Sequence, residues 1–249
     1  ATGISNLTAA DDDIILGTAA NNFGTVALNA GNATVVDTDD IVLGTTTVTG
    51  LTVTAGNAGN ITQSGTVSAT GLSNLTAADD DIILGTAANN FGTVALNAGN
   101  ATIVDANDII LGTSTLTGLT VTATTGNITQ AAALSLTGAG DFSAGANVTL
   151  GTAANNFSTV ALSAGNATVV DTDDIVLGTT TVTGLTVTAG NAGNITQSGT
   201  VSATGISNLT AADDDIILGT GANNFGTVAL IAGNATIVDA NDIILGTST

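Results

Sequence analysis

Carboxylates are the side chains of this sequence best equipped for chemistry, and they come in clusters. Asp11, Asp12 and Asp13 with Asp37, Asp39 and Asp40 form one group, and Asp79, Asp80 and Asp81 with Asp105 and Asp108 form a second. Asp213, Asp214 and Asp215 with Asp239 and Asp242 form a third, whereas Asp171, Asp173 and Asp174 stand apart after Ala146-Asn147. Dense oxygen ligands predict calcium, which accepts roughly six to eight of them in loose geometry. If Asp81 and Asp108 share a corner on adjacent turns, their carboxylates lie about 4.8 Å apart. Like charges at that distance repel by roughly 1–3 kcal/mol per pair, and a cation would reverse the sign. The same pairing is expected at Asp13/Asp40 and Asp215/Asp242, and a weaker one where Asn147 faces Asp174. The competing reading is that these are turn residues on a solvated edge that keep the chain soluble. The Gly-Gly-x-Gly-x-Asp pattern of calcium β-rolls is absent.

Paired carboxylates also cleave glycosidic bonds. Here they recur in repeats instead of meeting in one cleft, and no Arg, Lys, His, Tyr or Trp accompanies them. No enzyme is expected. Rows such as Thr45-Thr46-Thr47 and Thr52, Thr54 suggest an ice-binding face, but only one rung in three carries such a row.

The elements that position these groups show in a recurring skeleton of Asp or Asn, Ile or Val, any residue, then Leu or Gln. It begins at Asp13, Asp40, Asn60, Asp81, Asp108, Asn127, Asn147, Asp174, Asn194, Asp215 and Asp242. The intervals come in two sizes: longer ones such as Asp13 to Asp40 or Asp81 to Asp108, and shorter ones such as Asp40 to Asn60. Their mean, near 23, lies in the range of solenoid repeats. Between markers, apolar residues alternate with Thr, Ser, Ala or Asn, as in Leu51, Val53, Ala55 or Val94, Leu96, Ala98. Period two with β-branched enrichment predicts strands, and Gly, Asn and Asp predict the corners. The expected fold is all-β: a right-handed parallel β-helix of about 11 rungs of about 23 residues, a rod about 50 Å long at about 4.8 Å per rung. One continuous solenoid is expected over residues 1–249, with repeat units of about 1–68, 69–134, 135–202 and 203–249. Residues 151–249 repeat 17–115 with five changes: Ser158 for Gly24, Ser163 for Asn29, Ile206 for Leu72, Gly221 for Ala87 and Ile231 for Asn97.

Composition narrows function further. The net charge of −20 comes entirely from Asp, with no Lys, Arg, His, Cys, Pro, Met, Trp or Tyr. No cationic side chain is present to hold a nucleic-acid backbone, and without Cys there is no disulfide or thiolate site. No apolar run reaches the length of a membrane span, and Ala1 onward lacks a basic signal n-region.

Gly59-Asn-Ile-Thr-Gln-Ser-Gly65, its copy at 193–199, the Leu-Thr-Val-Thr-Ala upstream and Asn155-Asn-Phe-Ser-Thr-Val-Ala161 resemble repeats of filamentous-haemagglutinin-like exoproteins. Those are very large secreted bacterial adhesins, many exported by two-partner secretion and built as right-handed parallel β-helices. The resemblance covers essentially the whole chain. It implies a bacterial cell-surface or extracellular location, and a stalk or biofilm-matrix fibre meeting cell-surface or matrix components. A short subunit stacking end to end into a filament is the other structural reading. Leu245–Thr249 matches 111–115, so the pattern is expected to continue with a strand. Further repeats or neighbouring subunits would cover open edges at both ends.

Asn-x-Ser/Thr occurs twelve times, from Asn6, Asn32, Asn60, Asn74, Asn100, Asn127, Asn147, Asn156, Asn166, Asn194, Asn208 and Asn234. Rung-to-rung amide stacking and N-glycosylation are the two readings. Phe23, Phe91, Phe157 and Phe225 recur once per triplet and are expected in the core or a corner. Gln63, Gln130 and Gln197 replace the usual Leu and need a buried partner if they point inward.

Overall fold

The computed structural model describes residues 3–249. It divides into two compact units, Ala1–Thr125 and Gly126–Thr249. Each is an all-β parallel solenoid without helices, the right-handed β-helix expected, and together the described residues make about 12 turns. Among the described residues no helix is long and apolar enough to cross a membrane.

The strands form where the sequence alternates. In Gly50–Ala55 every second residue is buried, and inward residues of successive turns stack like on like. One column in the first unit runs Val35, Val53, Leu75, Leu96, all at most 2% exposed. A second runs Ile41, Ile61, Ile82, Ala101, Leu119. In the other unit Ile175, Ile195, Ile216 and Ala235 repeat that arrangement. Each fully buried aliphatic side chain contributes about 1.5–3 kcal/mol relative to exposure, which no single turn could collect alone. Phe91, Phe157 and Phe225 lie in the core as expected, and Phe23 is half-buried. Phe142 meets Phe157 edge to face, centroids 6.3 Å apart.

The register separates two kinds of interval that look alike in sequence. Thr25 pairs with Val42, then Thr62, Ile83, Thr102 and Thr120, one turn at each step. The second unit repeats these steps from Thr159 through Val176, Thr196 and Ile217 to Thr236. The short marker intervals, such as Asp40 to Asn60, are therefore one turn, but the long ones, such as Asp81 to Asp108, are one and a half. The triplet spans three and a half turns, so homologous residues exchange sides. Val26 and Leu43 lie in the column that runs on to Gln63, whereas their counterparts Val94 and Leu111 pair in the column of Ser73 and Leu51.

All five differences between residues 17–115 and 151–249 fall at positions that are not buried. A corner bulge explains one glycine. Ala77 pairs with Ala98 and Asp81 with Asn100, so three residues face Gly99 alone. Asp79 there adopts φ 68, and a Cβ on Gly99 would lie 2.7 Å from the Asp79 carbonyl oxygen.

Ser73 is buried between Leu51 and Val94, and among the described residues its hydroxyl has no partner; Ser207 repeats this. A buried unpaired hydroxyl costs about 1–3 kcal/mol. Ser73→Ala should therefore leave the urea midpoint unchanged or raise it, and a clear drop would reveal a partner for the hydroxyl.

Candidate functional site

The predicted Asp81/Asp108 pairing is not what the fold builds. Asp81 stacks between Asn60 and Asn100, because the long interval carries Asp108 half a turn past the corner. Asn60 donates its backbone N–H and its Nδ2 to Asp40 Oδ1 at 2.8 and 3.0 Å. Its own Oδ1 accepts the N–H of Asp81 at 3.1 Å, and Asn100 Nδ2 donates to Asp81 Oδ1 at 3.1 Å. The second unit builds the same ladder from Asp174, Asn194, Asp215 and Asn234. Asp13 receives Asn32 Nδ2 at 2.9 Å in place of Asp40, and Asp215 pairs with Asn234 in place of Asp242. Asn147 faces Asn127 and Asn166, where Asp174 was expected.

Alternation changes the electrostatics. Carboxylates in one column are two turns, about 9.6 Å, apart, with an amide donor between them. The bonds from the Asn60 backbone and side chain hold the Asp40 carboxyl below its ordinary range. Asp11, Asp12, Asp79 and Asp213 are exposed near the bulged corners, Asp80 and Asp214 are half-buried there, and Asp108 and Asp242 are exposed. Among the described residues no three acidic side chains gather as a metal-binding group. Asn60→Asp would place three carboxylates in adjacent turns. It should lower the melting temperature at pH 7, with partial recovery in millimolar Ca²⁺; an unchanged melt would show that alternation carries no energy.

A second set of carboxylates works inside the corners. Asp105 is fully buried; its Oδ2 accepts the Phe91 N–H at 2.6 Å and its Oδ1 the Asn107 N–H at 2.9 Å. Asp37 binds Phe23 and Asp39 this way, Asp171 binds Phe157 and Asp173, and the half-buried Asp239 binds Phe225 and Asn241. Asp39 also receives Asn22 Nδ2 at 3.1 Å. Each carboxylate thus ties its corner back to a backbone N–H 14 residues earlier, as Asp105 does to Phe91 at the start of the same strand. Desolvation raises the Asp105 carboxyl, and the Asp108 charge adds to the rise. Burial, with a contribution from neighbouring Asp173, pushes Asp171 up to about 6.

The sign follows from linkage. An Asp that binds its proton more tightly folded than unfolded favours folding fully below about 3.8, and that contribution is lost as pH rises toward about 6. Melting temperature should therefore rise as pH falls from 7 to 5, and falling overall charge repulsion adds in the same direction. A melting temperature flat or falling over that range would contradict this assignment.

The glutamines find partners that sequence reasoning did not identify. Gln63 Nε2 donates to Asn89 Oδ1 and Asn89 Nδ2 to Gln63 Oε1, both at 2.9 Å. Asn89 is fully buried; it also donates to the carbonyls of Leu84 and Val104 and accepts the Val67 N–H. Gln130/Asn155 and Gln197/Asn223 repeat the pair. The Asn21 side chain donates to the carbonyls of Leu16 and Val36, and among the described residues no Gln faces it. The available signal was the recurrence of Asn-Asn-Phe at a near-constant distance after each Gln, with its first Asn as the partner.

A family model described as repeats of unknown function (DUF5649) matches residues 30–97, 98–163 and 164–232. Each match starts at the Ala of an Ala-Gly-Asn corner and spans one triplet. No curated protein and no solved structure matches the chain.

Proposed function

We propose that this chain, which belongs to the family of repeats of unknown function (DUF5649), is a structural spacer. It sets length within an extracellular bacterial adhesin stalk or matrix fibre that serves surface attachment or cell–cell cohesion. The observation that carries this reading is the doubling itself: residues 151–249 copy 17–115 with five changes, none at a buried position. Duplication without divergence preserves a turn and adds length. The corner carboxylates and amide pairs fit this role, since they tie each turn to itself or to its neighbour. The absence of Cys, Met, Trp, Tyr and His removes the side chains most open to oxidation, which suits a durable exposed polymer. The resemblance to haemagglutinin-like repeats points the same way.

Chains carrying one, two and three copies of residues 17–150 test the proposal by electron microscopy and solution scattering. Each added copy, about seven turns, should extend the particle by roughly 34 Å at about 4.8 Å per turn. A maximum dimension that does not grow with copy number would overturn it. Concentration-dependent filaments from the single chain would favour an end-stacking subunit instead.

A further inference from the structure

The twelve Asn-x-Ser/Thr triplets are not equivalent once folded. Eight of their asparagines have amides tied into the turn-to-turn ladder: Asn32, Asn60, Asn100, Asn127, Asn147, Asn166, Asn194 and Asn234. Asn6, Asn74, Asn156 and Asn208 are exposed, and their side chains make no hydrogen bond among the described residues. In β-strands the residue two positions on shares a face, so the hydroxyls of Thr76 and Thr210 stand on the same side as Asn74 and Asn208.

Three of these four asparagines also border a groove. Asn74 stacks on Thr52 and under Ala95. A Cβ on Gly112 would lie 3.3 Å from that of Ala95, so the floor there is held to small residues. The resulting hollow of about 170 Å³ is lined by Asn74, Thr76, Ala95, Asn97 and Thr113. Equivalent hollows of about 190 and 370 Å³ lie beside Asn6 and Asn208. The walls are amide, hydroxyl and methyl groups without charge, a surface on which a neutral sugar ring can rest.

We propose that Asn6, Asn74, Asn156 and Asn208 are acceptor sites for N-linked glycosylation, and that the fold withholds the other eight. The co-reactants are a sugar donor activated as a diphosphate and a transferase that reads Asn-x-Ser/Thr. The amide Nδ2 bonds to the anomeric carbon as that carbon's bond to the diphosphate oxygen breaks. The diphosphate leaves with the electron pair, and the amide proton passes to a base of the transferase. A ladder asparagine would first have to give up its bonds to the neighbouring turn.

The folded chain, and separately the peptides cut from it at aspartate, are incubated with a sequon-directed N-glycosyltransferase and a nucleotide-activated hexose. Sites are then mapped by mass spectrometry. Peptides should accept hexose at both classes of asparagine. The folded chain should favour the four free sites over the eight ladder sites by about tenfold or more, the factor that one net hydrogen bond represents. Thr76→Ala should abolish modification at Asn74 with the circular dichroism unchanged. Equal modification of ladder sites in the folded chain, or none at the four, would overturn the proposal. Chain isolated from the cells that make it should carry sugar at Asn74 or Asn208; bare peptides at both would overturn it as well.

Discussion

Asn89→Leu should be among the most damaging single substitutions in the first unit, although it replaces a polar core residue by an apolar one of similar size. The Asn89 side chain has five polar partners: its Oδ1 accepts from Gln63 Nε2 and the Val67 N–H, and its two N–H groups are shared among Gln63 Oε1 and the Leu84 and Val104 carbonyls. Leucine replaces none of them. The two carbonyls, the N–H and the Gln63 amide would lose this partner while remaining buried or half-buried. At the lower end of about 1–3 kcal/mol for each of these four groups left unsatisfied, the cost is about 4 kcal/mol or more, a large part of the about 5–15 kcal/mol that typically holds a domain together. Denaturant titration reads this directly. Adding Gln63→Leu should cost far less than its effect alone, because members of one network do not add. Additive losses, or a cost below about 1 kcal/mol for Asn89→Leu, would show that the amide pair is not a lock.

Leu84→Asp should be comparably severe but confined. Leu84 is fully buried. Ile103 pairs with it in the next turn, and Gln63 lies beneath it, one position past the Thr62–Ile83 pair. A buried carboxylate costs several kcal/mol when no cation can pair with it, and this chain has no Lys, Arg or His. In a solenoid each turn answers only to its neighbours. Hydrogen exchange should therefore lose protection around Gln63, Leu84 and Ile103 while the turn of Val26, three steps away in the same column, stays protected. Uniform loss across that unit would mean that it unfolds as one cooperative body.

Much of this fold was readable from the sequence alone. Alternation in Leu51, Val53 and Ala55 located a strand and its buried face, since side chains of an extended chain must alternate. Gly, Asn and Asp marked the corners. The need of Gln63 for a buried partner was visible from its position in place of Leu, yet the partner was not. Asn89 is distant in the chain, and nothing local in Asn-Asn-Phe separates the buried Asn89 from the half-buried Asn90 beside it. Asp105 and Asp171 likewise look like their exposed neighbours in a list of carboxylates. Only packing shows that they face backbone N–H groups.

Which residues form strands, which face inward and that copies must stack all follow from local pattern and the need to bury apolar area. Which corner lies over which does not, because the interval from Asp81 to Asp108 reads like one long turn as readily as one and a half. Closure of the parallel backbone ladder decides it. That ladder takes up only the shorter spacing in each turn, as from Val42 to Thr62 or Thr102 to Thr120, and the rest of a long interval passes to the opposite side. The same half-turn puts asparagine amides between the carboxylates of each column, where sequence spacing had placed carboxylate against carboxylate.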